Sequence, residues 1–334
     1  MMKNYVIIPT YKEAENLKEL LPLLTRYNVI IVDDNSLDGT EKICRKYGNV
    51  KLIVRKDKRG LASAVMDGVK SIKAKDANVV VADADFEHDY GRIKDVFNLL
   101  DKNDFVECIK KGKRLWNRGV ISTAAKRFLY ALVPESMWLK DPLSGFFGFR
   151  TKSVNLDKIK PVGYKIMLEV FMNLKKGSAK THLEYDYGYR KHGKSKLKFK
   201  VITEFIGQVL RLNNYRVLVF LAIGVFGIFL NEFLLYAFYL RFPLFFSLVY
   251  AIVISTLANF LMNHYITFRN RSNFIPSIIK FSVVTFFAGL INLGVAFYLS
   301  YVIMYLIANF IGIVLSFIFK YLLSENFIWS MPKK

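Results

Sequence analysis

The chain has little cysteine, and beyond residue 213 it has almost no acid. Cys44 and Cys108 lack the paired spacing of a zinc site and are too few for a disulfide framework. That usage suits a reducing compartment. The opening MMKNYVIIPTYKEAENL has an apolar stretch too short for the core of a signal peptide, and the expectation is a first buried strand. After Asn213 the acids reduce to Glu232 and Glu325. The cations there reduce to Arg216, Arg241, Arg269, Arg271, Lys280, Lys320, Lys333 and Lys334. The two parts of the chain therefore differ in kind, and two domains are expected.

What remains is strongly basic. Lys and Arg number 49 against 27 acids, a formal net charge of +22 carried mostly by the first part. A basic domain joined to apolar helices calls for an anionic partner at a bilayer.

Four apolar stretches, at about 217–240, 244–268, 277–300 and 302–322, each approach the ~20 residues a helix needs to cross a bilayer. Lys and Arg precede the first stretch, recur as Arg269, Arg271 and Lys280 between the second and third, and end the chain as Lys333 and Lys334. The other two loops hold only Arg241. An integral membrane protein with four spans follows, its basic first part and both termini cytoplasmic. Phe220 and Phe281, Asn231 and Asn292, Phe260 and Tyr321, Leu261 and Leu322, and Phe268 and Trp329 share one offset, which suggests a repeated helical hairpin. Glu232 falls inside the first span and is either a functional carboxylate or a polar contact between helices near Asn231.

In the first part, strand-like runs at Tyr5–Pro9, Val29–Val32, Lys51–Val54 and Val79–Ala82 alternate with helix-like segments at Glu13–Arg26, Thr40–Tyr47 and Gly60–Lys73. This alternation predicts a parallel, doubly wound sheet with its ligand beyond the carboxyl ends of the strands. Those ends hold Pro9-Thr10-Tyr11 with Glu13, Asp33-Asp34-Asn35-Ser36, and Asp83-Ala84-Asp85. Any of Asp33, Ser36 or Asp38 can instead cap the helix beginning near Thr40. Alternation along an extended backbone would point Asp83 and Asp85 the same way, where two carboxylates can hold a hard divalent ion such as Mg²⁺ or Mn²⁺.

VIIPTYKEAENL, IVDDNSLDGT, RGLASAV, ADADFEH, DPLSGFFGF and GKSKL, in this order, resemble family two of the inverting glycosyltransferases, and more narrowly its dolichyl- or polyprenyl-phosphate sugar synthases of the dolichol-phosphate mannose synthase type. The second apolar stretch ends in ANFLMNHYITF, which resembles the small GtrA-like membrane family. The resemblance implies an α/β GT-A, Rossmann-like catalytic domain over 1–196. An amphipathic interfacial helix is expected over 197–214 and an all-α four-helix transmembrane domain over 215–334. It implies transfer of a sugar from a nucleotide sugar, GDP-mannose or UDP-glucose, to dolichyl or polyprenyl phosphate. By the same resemblance Pro9, Tyr11, Glu13 and Asp34 contact the base and ribose, with Val32 and Ala84 as further substrate positions. Asp83 lies against the nucleotide sugar and Asp85 binds the metal. Family members have Gln where this chain has Glu87, which would be a third anionic metal ligand.

On the acceptor side, Arg118 and Ser122 in KRLWNRGVISTAAKRFLYALV stand one helical turn apart. The resemblance assigns such a pair to the lipid phosphate, against the reading of a solvated basic face. Lys110 and Lys111 stand loosely where the family has another basic residue. Asp141, opening DPLSGFF, either orients the acceptor or fixes the turn before Pro142. Arg190 and Lys194 match a loop that closes on the donor diphosphate. A nucleic-acid patch is the generic reading of that cluster, and four spans directly after it exclude nucleic acid as the partner. Val201, Ile202, Phe205, Ile206, Val209 and Leu210 recur at helical spacing ahead of the spans, as in an interfacial helix.

A phosphate monoester is already anionic, so the chemistry needs alignment and charge stabilisation rather than a base. His88 and His192 are available but not required. A processive polysaccharide synthase would carry Q-x-x-R-W, and Gln208-Val209-Leu210-Arg211-Leu212 lacks the Trp. A lipid-sugar flippase or scaffold with an inactive enzyme half is the rival from another class.

Overall fold

The computed structural model describes residues 3–57, 60–74, 76–111, 116–186, 188, 199–269 and 272–330, with only the backbone for 116–121 and 199–200. The chain divides into two compact units, Met1–Val209 and Leu210–Lys333.

The first unit is built on seven strands: β1 (Lys3–Thr10), β2 (Asn28–Asp33), β3 (Val50–Val54), β4 (Ala77–Val81), β5 (Phe105–Lys111), β6 (Phe147–Arg150) and β7 (Lys180–Asp186). They form one sheet in the order β3-β2-β1-β4-β6-β5-β7. The helices are α1 (Ala14–Leu20), α2 (Thr40–Cys44), α3 (Leu61–Lys70), α4 (Ile93–Leu100), α5 (Trp116–Leu132), α6 (Ile166–Met172) and α7 (Phe199–Leu212). Strands β1 to β4 are parallel, as the alternation predicted. The rest of the sheet is mixed, because β6 runs antiparallel to both β4 and β5. It enters the sheet from the Asp141–Gly145 turn and needs no crossover helix after it.

The central strands read as continuous apolar runs because both faces are covered. Val6, Ile8, Val29, Ile31 and Val80 pack with Leu17, Leu20, Val96 and Leu100, all buried, while Ile7 and Val32 face α3 at Gly68. The predicted helix over Glu13–Arg26 ends at Leu20 and tightens into a 3₁₀ turn, Leu21–Leu24, where Pro22 removes an amide donor.

The second unit contains α8 (Arg216–Tyr239), α9 (Leu244–Met262), α10 (Phe274–Ser300) and α11 (Tyr305–Leu323). All four are long and apolar enough to cross a membrane. α9 and α11 each finish in one widened π turn, Asn263–Thr267 and Ser324–Ile328, displaced by the same 61 residues as the sequence repeat. Contacts repeat as well: Phe220 meets Tyr321 at 5.4 Å between ring centroids, and their counterparts Phe281 and Phe260 meet at 5.7 Å. The membrane unit is thus a duplicated hairpin. Asn231 ties α8 to α9 by accepting the Ser255 hydroxyl at 3.2 Å, while Glu232 lies exposed on α8.

Candidate active site

Parallel neighbours β2, β1 and β4 bring their carboxyl ends to one edge. Thr10 closes β1 opposite Asp33, to which it donates at 3.0 Å, and the Ser36 amide donates to the same carboxylate at 2.8 Å. Asp33 therefore holds the edge together. Asp38 precedes the N-cap Gly39 of α2 and accepts the Thr40 amide and the Ala14 amide at 3.1 Å each. Burial raises its carboxyl, but the bonds from Thr40 and Ala14 outweigh this and leave it below the ordinary range.

Asp34 is buried and paired with Arg55, the first residue past β3. The guanidinium donates to Asp34 through Nε at 2.7 Å and through Nη2, and the Gly60 amide adds a third bond at 2.8 Å. Arg55 also reaches Ser63 at 2.8 Å and Asp67 at 3.2 Å. Sequence reasoning missed Arg55, although the rule that directs attention to strand ends applies to β3 as well. Pro9 sits opposite Val32 in register. The Val32 side chain and Ala84 are buried, so Val32 presents only its carbonyl towards Thr10. Tyr11 and Glu13 are half-buried at the start of α1, and Asn16 donates to Glu13 at 2.6 Å.

β4 stops at Val81, so Asp83 and Asp85 stand in the loop beyond it and strand alternation does not set their directions. That loop turns at Phe86, with φ +63°. Asp85 is 7% exposed and accepts the Glu87 amide at 3.2 Å. The Asp83 carboxylate lies against Gly145, where an added Cβ would come within 2.7 Å of Oδ2. Gly145 is thus the residue that lets the DPLSG turn approach the D-x-D loop. Among the described residues no three His, Cys, Asp or Glu side chains are gathered as for a metal ion.

His88 supports this loop from below. It is buried, stacks on Phe146 at 5.2 Å, and its Nδ1 accepts the Asp83 amide at 3.0 Å. Burial pushes the imidazole down to about 4, with Asp85 opposing the shift. The neutral ring therefore carries its proton on Nε2, 3.8 Å from Asp83 Oδ2.

α5 carries Ser122, half-buried, and the backbone of position 118. The Arg118 side chain lies outside the described residues, as do Arg190, Lys194 and His192. Lys111 pairs with Glu184 at 2.8 Å on the surface. The turn that opens with Asp141 is held from beneath by Glu107 of β5, which is fully buried. Its two oxygens accept the Asp141 amide at 2.6 Å and the Lys140 amide at 2.9 Å. Lys165 donates to the Leu143 carbonyl at 2.6 Å on the other side. The Lys165 carbonyl in turn accepts Gln208 of α7 at 3.0 Å. No sequence signal singled out Glu107, because a lone Glu in an apolar strand has no motif around it.

Residues 5–154 match the model of glycosyl transferase family 2, and residues 219–329 match the GtrA/DPMS transmembrane domain. The dolichol-phosphate mannosyltransferase of Pyrococcus furiosus is 33% identical, with 98% of this chain and all of that protein covered. The dolichol-phosphate mannosyltransferase of Saccharomyces cerevisiae is 32% identical over 63% of this chain and 87% of its own. In fold, the glucosyl-3-phosphoglycerate synthase of Mycobacterium tuberculosis superposes with a TM-score of 0.52 at 16% identity, covering 64% of this chain and 80% of that one.

Proposed function

The chain belongs to the dolichol-phosphate mannosyltransferases of glycosyl transferase family 2 and is an integral membrane glycosyltransferase, and from that premise we propose that it moves mannose from GDP-mannose to dolichyl phosphate at the cytoplasmic face. The observation that carries this reading is the packing of Gly145 against the Asp83 carboxylate, which seats the acidic donor loop beside the turn of Asp141.

In this reading Asp34, supported by Arg55, receives the base and ribose together with Pro9, Tyr11 and Glu13. Arg118 and Ser122 grip the lipid phosphate, and Arg190 and Lys194 neutralise the donor diphosphate. Asp83 and Asp85 would hold Mg²⁺ or Mn²⁺, with Glu87 beside them. Asp85 is an almost fully buried carboxylate. Two hard carboxylates completed by phosphate oxygens make a donor set such ions accept. A metal bound there would stabilise the charge of the departing nucleoside diphosphate. The lipid phosphate is its own nucleophile. The protein has only to align it in line with the leaving group, and that displacement inverts the anomeric centre.

The segment 197–214 would lie in the headgroup layer and residues 215–334 across the bilayer, leaving 1–196 and both termini cytoplasmic. Purified full-length protein incubated with dolichyl phosphate, Mg²⁺ or Mn²⁺, and labelled GDP- and UDP-sugars tests the reading. Mannosyl lipid from GDP-mannose is expected. Glycolipid from a UDP-sugar alone would replace the donor, and no glycolipid from any donor would overturn the enzymatic reading.

A further inference from the structure

Glu107 is an ionisable side chain with no access to solvent, and the transfer reaction makes no use of it. Its surroundings are specific. Oε1 and Oε2 take the amides of Asp141 and Lys140, and Oε2 also lies 3.1 Å from Nε2 of His182 on β7. The same Nε2 lies 3.3 Å from the Trp138 carbonyl. Two acceptors facing one nitrogen require the tautomer with its proton on Nε2. The His182 ring stacks on Trp138 at 4.0 Å and 17°, which fixes its plane. Glu107 is therefore held on one side by an oriented imidazole and on the other by two backbone amides of the turn it supports.

A buried carboxyl costs several kcal/mol unless its oxygens are fully used, and an apolar residue would cost less at the same place. Only an ionised carboxylate accepts from all three donors without turning a hydroxyl towards one of them. Among the described residues, no hydrogen bond of the Asp141 carboxylate holds the turn. The turn is fixed by its own Ser144 amide bonding the Asp141 carbonyl at 2.9 Å, by Lys165 at the Leu143 carbonyl, and by Glu107. The Asp141 side chain is thereby left for another partner.

We propose that Glu107 and His182 are a buried positioning pair that aims Asp141 at the lipid-phosphate acceptor. The inference rests on the proposed acceptor role of this turn. Among the described residues, the other ionisable groups about Glu107 are Asp141 and Lys140 of the turn, Lys126 and Tyr130 of α5, and its chain neighbour Cys108. Burial raises Glu107 to about 7, against the opposing bonds from Lys140 and Asp141, so the pair changes state near neutral pH. Burial also lowers His182, against the opposing bond to the Trp138 carbonyl.

The test is steady-state kinetics of full-length Glu107→Gln, His182→Phe and Asp141→Asn, with donor and acceptor varied separately across pH. Glu107→Gln turns an amide NH₂ towards one of the turn's amides. It is expected to raise the acceptor KM about tenfold while leaving the donor KM unchanged. His182→Phe keeps the stack on Trp138 but removes a donor to the carboxylate, so the acidic limb of acceptor use should move to higher pH. That limb should be absent in Glu107→Gln. Glu107→Gln and Asp141→Asn should be non-additive. If Asp141→Asn raises the acceptor KM but neither clamp variant changes the KM or the pH limb, the pair is not a positioning device. If Asp141→Asn itself leaves acceptor use unchanged, the acceptor reading of the turn fails first. Should Glu107→Gln not fold, the pH limb of His182→Phe decides alone.

Discussion

Phe268 and Trp329 stack face to face, with ring centroids 4.4 Å apart and planes 8° from parallel, and each is the other's counterpart in the duplicated hairpin. A residue can meet its own counterpart only near a two-fold axis, so the stack marks a pseudo-two-fold of the membrane unit. Flanking contacts obey the same operation: Phe220 lies 6.2 Å from Phe268, and Phe281 lies 5.8 Å from Trp329. Both central rings are fully buried.

Trp329→Ala should therefore loosen both hairpins at once. A loss of about 3–5 kcal/mol is expected for emptying such a position, read as a lower thermal midpoint in detergent. Trp329→Phe should recover most of it, because it keeps the ring that meets Phe268.

The polar contacts do not respect the symmetry. Glu325 binds Arg216 through two bonds, at 2.6 and 3.0 Å, whereas the counterpart of Glu325 is His264, which accepts the Trp329 indole at 3.0 Å. Both partners of the ion pair are buried. Removing one leaves the other charge unpaired, so Glu325→Leu should cost about 3–5 kcal/mol, while the double variant Arg216→Met/Glu325→Leu should cost far less. Thermal unfolding of the three proteins measures the difference, and equal losses in single and double variants would show that the pair contributes no coupling.

Gly145→Ala puts a methyl group 2.7 Å from Asp83 Oδ2, where either the acidic loop or the turn has to move. A shift of this size in a reacting assembly costs on the order of a hundredfold in kcat. Expression level and thermal midpoint should change little, since the glycine lies between two loops. Parent-like kcat would show that the approach of these segments is not needed for transfer.

The strands, the helices and the four spans were legible because their signal is periodic and local. The apolar runs of β1, β2 and β4 needed no tertiary information. The antiparallel entry of β6 was not legible, because strand direction is decided by where the preceding turn docks. Asp34 is singled out by its place after a strand, but its partner Arg55 lies 21 residues away and only the sheet brings them together. Glu107 shows the same limit more sharply. Its partners come from positions 140, 141 and 182, and nothing in FVECIKK announces them.

Asp34→Asn tests the base side of the site. Among the described residues, the substitution leaves the buried Arg55 guanidinium with Asp67 as its one remaining ion-pair partner. Destabilisation of about 3 kcal/mol is expected together with weaker binding of the donor nucleotide. Calorimetric titration with GDP reads the second effect. Unchanged affinity would assign Asp34 to structure alone.

The Glu107 shift also has a consequence for stability whose sign is opposite to its effect on acceptor use. Burial raises this carboxyl from 4.5 to about 7 in the folded protein. Between those values the native state keeps a proton that the unfolded chain has released, so stability falls as pH rises through the window and levels off above it. His182, lowered by burial, acts the other way, since below its ordinary value the unfolded chain binds the extra proton. Comparing thermal midpoints of the parent and Glu107→Gln from pH 4.5 to 8 isolates the Glu107 contribution. The parent should lose stability relative to the variant as pH rises to about 7 and run parallel to it beyond. A difference that stays flat across the window would mean that Glu107 is ionised throughout, and its three donors would then outweigh the cost of burial.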